Sequence, residues 1–474
     1  MCDLEKVDYT RPTGLGIRHV QILLLYLAMF LAFTMRANMS IAIVAMTENS
    51  TEAKQDYHTF QWSHQTQSVV LSSFFWGYVI LQIPAGALAR RFGGKVLMST
   101  AILVNAVISL LLPVAAIYGG WMSVCACRII QGLTQAFVYP SMHHLVSLWV
   151  PLEEKGFLTT FAYAGGQLGI AIQLLVGGLI ASAWGWPAIF YTNGALGLAW
   201  FLVYFVFGSA APERSKFISK EELTYIQKSL GRDGEHKHYP VPWTKILTCL
   251  PFWAVIVTHC GQNWGFFTLM TEMPSYMSKV LGFELKSSGV LSSLPYLTMH
   301  VLSFTGGAAT DLILRKKCLG VSNTRKLFNS IGLWGPAVTL IGLSYTSSDN
   351  IVLAVVMLMF TLGMNAGHYA GFMLVHIDLA PHFSGILMGI TNFLANIISI
   401  IAPLVCGFII TDEKDPTEWR KVFFISSGIY FFANLFFVLF STSEKQSWND
   451  PTEAKGDEEL NKMNNRVQTS VIMD

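Results

Sequence analysis

Residues 20–46 read VQILLLYLAMFLAFTMRANMSIAIVAM, and residues 122–140 read MSVCACRIIQGLTQAFVYP. A helix of about 20 apolar residues spans a bilayer. Each run meets that length and holds one charge, Arg36 in the first and Arg128 in the second. A lone arginine at the bilayer centre costs roughly 2.5–3.5 kcal/mol even on the lenient insertion scale, so it faces a bundle interior and contacts something negative. Neither run contains an acidic residue, and Glu48 stands at the outer end of the first. The arginines therefore either bind an anion or pair structurally with a carboxylate from elsewhere.

The rest of the chain agrees with a membrane solvent. Charged residues make up 13% of the 474 and hydrophobic ones 53%, with 32 Phe and 13 Trp. An ordinary soluble domain is about 25% charged. The chain divides into about twelve apolar spans, centred near residues 33, 77, 107, 135, 169, 199, 261, 299, 335, 362, 397 and 431. This is an all-α polytopic membrane protein embedded in a lipid bilayer. Its charges form no basic stripe, so nucleic acid is not a partner. The seven cysteines give no disulfide framework; Cys125 and Cys127 lack both C-x-x-C spacing and a second ligand pair, which leaves no metal site there. Span 1 is far longer than a signal-peptide core, so the N-terminus is expected to be retained.

Loop charges set the orientation. Of the 31 Lys and Arg, 23 fall in segments on the side of the N-terminus and 6 on the opposite side; Arg36 and Arg128 complete the total. The positive-inside rule then places both termini in the cytoplasm. Asn49-Ser50-Thr51, a glycosylation sequon, falls in the first outer loop. The expected organisation is a cytoplasmic segment 1–19, a six-helix bundle 20–209, a central loop 210–247, a second bundle 248–441 and a disordered tail 442–474. Ser219 and Glu222 form a capping-box pattern in the loop, which predicts a short helix with Leu223, Ile226 and Leu230 on one side.

The halves look duplicated. G86-A-L-A-R-R-F-G-G-K95 follows span 2 and G307-A-A-T-D-L-I-L-R-K-K317 follows span 8, 221 residues apart. They nominate Gly86, Arg90, Arg91, Gly307, Asp311 and Arg315 as gating residues. Gly165 and Gly169 in span 5 are echoed at nearly that offset by Gly385 and Gly389 in span 11, spacings that let backbones approach closely. Parallel repeats with a site between them are a transporter architecture.

In span 4, Arg128, Gln131 and Gln135 share one helix face, which should line a wet cavity, and Pro140 interrupts the helix. Arg36 and Asn38 lie at a compatible depth in span 1, so two guanidiniums could clamp one carboxylate or phosphate. His259, Gln262, Asn263 and Phe266 make a third polar face in span 7. His143, His144, His300, His368 and His376 are proton-relay candidates, each weighed against an ordinary packing role. Glu272 and His143 are the coupling candidates. His376, Asp378 and His382 lack a fourth ligand, which argues against a metal. No catalytic motif and no Walker sequence is present, so the reading is not an enzyme and not an ATP-driven pump.

These stretches resemble the anion/cation symporters of the major facilitator superfamily, the group of type I sodium-phosphate cotransporters, sialin and the vesicular glutamate transporters. The likeness rests on R36-A-N-M-S-I-A-I-V-A-M, S73-F-F-W-G-Y, R128-I-I-Q-G-L, N263-W-G-F-F-T-L, L294-P-Y-L, H376-I-D-L-A-P and G385-I-L-M-G-I-T-N392. It implies the major facilitator fold of two six-helix bundles, anion recognition by Arg36 and Arg128, and no organic cofactor, only co-transported sodium or protons. Proton-coupled and glutamate-transporting relatives carry a glutamate where this chain has Gln135. Glutamate transporters also have a histidine at Leu71 and an arginine at Gln262. The resemblance therefore favours sodium-coupled phosphate or organic-anion symport, with a proton-coupled sialin-like exporter or a transport-deficient anion sensor as alternatives. Ala89 stands where the first cytoplasmic motif usually has aspartate. The membrane is either the plasma membrane or a lysosomal or vesicular one.

Overall fold

Glycines and one proline decide where the apolar runs turn. The computed structural model describes residues 12, 14–47, 58–62, 64–230, 240–281, 285–346, 350–410 and 415–449, and every regular element among them is a helix. The first half holds α1 (Ile17–Thr47), α2 (His64–Ile80), α3 (Gln82–Phe92), α4 (Gly94–Gln135), α5 (Val138–Trp149), α6 (Lys155–Trp184) and α7 (Trp186–Phe207). Two short helices follow, α8 (Lys220–Ser229) and α9 (Trp243–Leu247). The second half holds α10 (Leu250–Lys279), α11 (Leu285–Arg315), α12 (Val321–Ser344), α13 (Ile351–Asn365), α14 (Gly367–Ala370), α15 (Phe372–Leu379), α16 (Ser384–Ile409) and α17 (Pro416–Phe440).

α4 is two passes in one. Gly120 interrupts it at φ 61°, a left-handed conformation that glycine adopts without steric cost. The arms fold back on each other, because Asn105 donates to Thr134 Oγ1 at 2.7 Å and Gln131 to Ser109 Oγ at 3.1 Å. The second arm breaks at Ala136–Phe137, just ahead of Pro140 in the first turn of α5. A proline has no N–H for the carbonyl four residues earlier, so the interruption lies upstream of it. With α2–α3, the second arm of α4 with α5, and α13–α15 each counted as one broken pass, the described helices make twelve passes. Nine described helical stretches are long and apolar enough to cross a membrane on their own.

Within the first half, α6 lies against α1 because Gly165 and Gly169 admit the Tyr26 and Phe30 carbonyls where a Cβ would overlap them. The central helix α8 is capped as the sequence predicts, with Ser219 Oγ accepting from Glu222 N–H at 3.2 Å, a cap worth about 1 kcal/mol. The Glu222 carboxylate goes elsewhere. It accepts from Ile17 N–H, Arg18 N–H and Arg18 Nη1, and Glu154 takes the other edge of the same guanidinium at 2.9 Å. Arg18 is thus wholly buried between two carboxylates, and helix α1 begins inside the segment expected to precede it.

Residues 442–449 of the tail expected to be disordered are packed against the second half, and the rest of it lies outside the described residues. Trp448 is buried with its ring 6.0 Å from Phe383, Gln446 N–H donates to Leu379 O at 2.9 Å, and Asn449 accepts from His382 N–H. An indole burying apolar area holds the segment that its polar neighbours made look unstructured.

Candidate anion-binding site

Arg36 on α1 and Arg128 on α4 come together beside one ring. Their Cζ atoms lie 5.0 and 4.8 Å from the centroid of Phe74, so they are at most about 10 Å apart. Arg36 also stacks on Phe33 at 4.6 Å and Tyr78 at 4.5 Å. Cation–π contacts of this kind are worth about 2 kcal/mol when desolvated. Neither arginine has a carboxylate partner among the described residues. Arg36 Nε and Nη2 both donate to Gln135 Oε1 at 3.3 Å. Arg128 is 2% exposed and donates to the carbonyls of Met35 and Arg36 at 3.3 and 3.2 Å and to Gln131 Oε1 at 3.4 Å, while its Nε has no protein partner. Two like charges, Arg128 buried and Arg36 half-buried, held by neutral acceptors and ring faces leave a net positive site, able to take an anion through guanidinium forks.

The face carrying Arg128, Gln131 and Gln135 does not line open water; all three are 0–2% exposed. Gln131 turns to Ser109 and the Asn105 carbonyl on the facing arm, and Gln135 donates to Ala32 O and Asn105 Oδ1 at 3.1 Å. Buried amides must bond, and Asn105 and Ser109 are what they bond to. Reading along the chain missed these two, although a polar pair four apart in an otherwise apolar run was a signal. Asn38 is buried with neither side-chain atom hydrogen-bonded to protein.

The amides of the third polar face take their partners from the second half. Gln262 donates to Asn365 Oδ1 at 3.2 Å and Asn263 to Ser399 Oγ at 3.0 Å, both within the second half. His259 is buried with Nδ1 unbonded, and its ring lies 6.3 Å from that of His376. His143 sits opposite His376 at 5.2 Å. His300 meets Ala164 O at 2.9 Å and the Tyr26 hydroxyl at 3.5 Å, and His368 meets Asn365 O at 2.5 Å. Glu272 falls within α10, but its side chain, like that of Arg90, lies outside the described residues, as does Asn49. Asp378 is engaged by Lys155 and Arg325, which removes it from any metal set.

The halves cross twice near the face where α1 begins. A Cβ on Gly307 of α11 would overlap Thr160 Oγ1 of α6, and one on Gly86 of α3 would overlap the Gly385 carbonyl of α16. The partner glycines are Gly156 and Gly385, each just after a single 3-10 turn at Leu152–Glu154 or Pro381–Phe383. Gly385 therefore corresponds to Gly156 and not to Gly165, as its sequence offset had suggested. At the first crossing Asp311 accepts from the N–H groups of Gly156 and Phe157, both at 2.8 Å, capping the start of α6. Asp311 is four residues after Gly307; the same step from Gly86 reaches Arg90, so position 90 rather than Ala89 replaces the aspartate. Ala89 is buried, and Arg91 and Arg315 are exposed beyond the crossings.

An ion triplet reinforces the first crossing. Lys155 Nζ at the start of α6 lies 2.6 Å from Asp378 Oδ1 across the interface, and Arg325 Nε holds Oδ2 at 2.9 Å. By contrast, a cleft of about 770 Å³ among α10, α16 and α17 is lined by apolar residues such as Trp264, Ile425 and Phe432. It offers nothing to an anion.

Comparison with known proteins accords with this architecture. The family model described as Major Facilitator Superfamily matches residues 25–403. A Drosophila ananassae protein named provisionally as an inorganic phosphate cotransporter is 39% identical over 453 residues, covering 91% of this chain and 94% of its own. Sialin of Homo sapiens is 35% identical over 457 residues and 92% of each chain. The solved structure of a proton:xylose symporter superposes with a TM-score of 0.68 at 16% identity over 91% of this chain and 97% of its own, a likeness of fold alone. These relatives are transporters and not enzymes. The chain belongs to the Major Facilitator Superfamily, a multi-pass membrane transporter related to phosphate cotransporters and sialin.

Proposed function

We propose that the protein is a cation-coupled symporter of a small anion, working by alternating access between two six-helix bundles. The observation that carries this reading is the uncompensated pair Arg36 and Arg128, held beside Phe74 by amides, carbonyls and rings with no carboxylate among the described residues. Arg36 and Arg128 hold the anion, while Gln131, Gln135 and Asn105 fix their position. Asn263, Gln262 and His259 approach from the second half as the bundles rock. Loop charge supports a cytoplasmic location for the closed face, with Gly86, Gly307, Asp311 and the Lys155–Asp378 pair as its gate.

Inorganic phosphate with sodium is the first substrate and coupling ion to test, on the strength of the resemblance and the relative's name. A proton-coupled, sialin-like organic-anion reading stands beside it, favoured by the histidines gathered between the halves. The deciding experiment is uptake of labelled phosphate, sialic acid and glutamate into proteoliposomes under separately imposed sodium, proton and voltage gradients. Uptake that survives intact in a well-expressed Arg128→Ala variant would sink the site assignment.

A further inference from the structure

We propose that His143 and His376 together form the proton-binding site of this transporter, holding one proton per pair. The inference rests on the symport reading and, within it, takes the proton-coupled alternative over sodium. His143 is on α5 in the first half and His376 on α15 in the second; both are fully buried, with ring centroids 5.2 Å apart. Both rings aim a nitrogen at the same oxygen, the Met373 carbonyl, His143 Nε2 at 3.2 Å and His376 Nδ1 at 3.1 Å. A carbonyl only accepts, so each ring carries its hydrogen on that nitrogen.

The other nitrogen of each ring faces a hydroxyl, Tyr163 for His143 and Thr391 at 2.8 Å for His376. A hydroxyl donates or accepts as required. While a ring is neutral the hydroxyl donates to it. When the ring takes a proton on that nitrogen the hydroxyl turns and accepts, and Thr391 then has the Met388 carbonyl at 3.3 Å for its own hydrogen. The site can therefore change protonation state without losing the hydrogen bond, which a histidine kept only for packing does not require.

Other groups around the pair set its capacity. Tyr139 and His144 share α5 with His143; Lys155 and Tyr163 come from α6, His259 from α10, and His368 and Tyr369 from α14. Arg325 on α12 and Lys155 both engage the α15 carboxylate of Asp378, and α16 contributes Thr391. Two protons on rings this close would repel, so the pair holds one. His259, buried and with Nδ1 lacking a protein partner, is the next acceptor beyond His376.

The pair also meets the thermodynamic condition for coupling, a proton affinity that differs between the two states. The Met373 carbonyl belongs to the second half and His143 to the first, so separating the halves on this side removes that partner and leaves His143 with the Tyr163 hydroxyl and the Tyr139 backbone of its own half. A packed run leads to the anion site: Tyr163 stacks on Tyr139 at 5.9 Å, Tyr139 meets Phe33 edge-on at 6.2 Å, and Arg36 covers Phe33. Histidines between the halves thereby take the titrating role that an amide at Gln135 cannot fill.

The test uses purified full-length protein in proteoliposomes containing a pH-sensitive dye, with phosphate, sialic acid and glutamate as probes. His143→Gln and His376→Gln keep an N–H to donate but cannot titrate. Each should lower anion-driven proton flux about tenfold or more while anion counterflow persists. In detergent, wild-type anion affinity should change as the pH is lowered from neutral into the acid range, and the variants should bind without that dependence. Undiminished proton flux in the double variant, or a variant that follows the wild-type pH curve, overturns the proposal. Wild-type counterflow with no proton movement under any gradient also overturns it and leaves anion symport standing, whereas no counterflow with any probe overturns the symport reading as well.

Discussion

Replacing Lys155 with methionine measures how much of the closed face is held by charge. Lys155 and Asp378 are 7% and 6% exposed, and their 2.6 Å contact joins the halves. Methionine keeps an unbranched stem and removes the ammonium, while Asp378 keeps Arg325 at 2.9 Å, so no carboxylate is left bare. The loss is one charge-assisted hydrogen bond, about 1.5–3 kcal/mol. It falls on the closed state alone, because opening separates the partners. At 1.4 kcal/mol per decade the closed-to-open ratio should drop roughly 10- to 150-fold. Spin labels on cysteines replacing Leu152 and Leu312, exposed positions in opposite halves, would read the ratio as a distance distribution in nanodiscs. Asp378→Asn should shift it further, since it leaves two buried cations facing an amide and costs about 3–5 kcal/mol. A Lys155→Met distribution indistinguishable from wild type would refute the reasoning and mean that glycine packing alone holds the face shut.

Three further outcomes are expected. Arg128→Lys keeps the charge but loses the planar fork that reaches Met35 O, Arg36 O and Gln131, so anion affinity should fall about tenfold in a binding titration; unchanged affinity would mean that a point charge suffices. Gln135→Glu places a carboxylate where Arg36 already donates twice, which should weaken anion binding at neutral pH and restore it as acid protonates the new group; affinity flat across pH would contradict this. Gly86→Leu puts a side chain where the Gly385 carbonyl lies and should trap the protein open on that face, seen as lasting thiol labelling of an interface cysteine. Closure at the wild-type frequency would exclude the crossing as a gate.

The fold was legible because the bilayer makes charge expensive. Apolar length counted the passes, and the two arginines stood out because nothing near them in sequence could neutralise them. Which way each polar group turns was not legible. Gln131 lay on the correct face yet rotates to Ser109, because packing of the returning arm of α4 chooses its partner. The Lys155–Asp378 pair joins residues 223 apart, so no local pattern announces it. Internal kinship was visible at Gly86 and Gly307, but counting a constant offset onward matched Gly385 to the wrong glycine; the contacts at the crossings supply the proper register. Trp448 was hidden in a polar tail since burial of one indole depends on a surface contributed by another part of the chain.

The docking of α8 has a mechanical consequence. After α7 the chain is stitched to the first half by Gln21 with Phe207 and Ser209, by Ser229 with Leu152, and by Glu222 with Arg18, while Ile246 is already in the main apolar core with second-half helices such as α10. Between Leu230 and Pro240 lie nine residues outside the described ones, a length of chain that can bridge at most about 30 Å. That length sets an upper limit on how far the two ends, and the halves they belong to, can lie apart. Within that limit, the grip of one half on the other comes from the faces that touch, Gly307 on Gly156, Gly86 on Gly385 and Lys155 on Asp378.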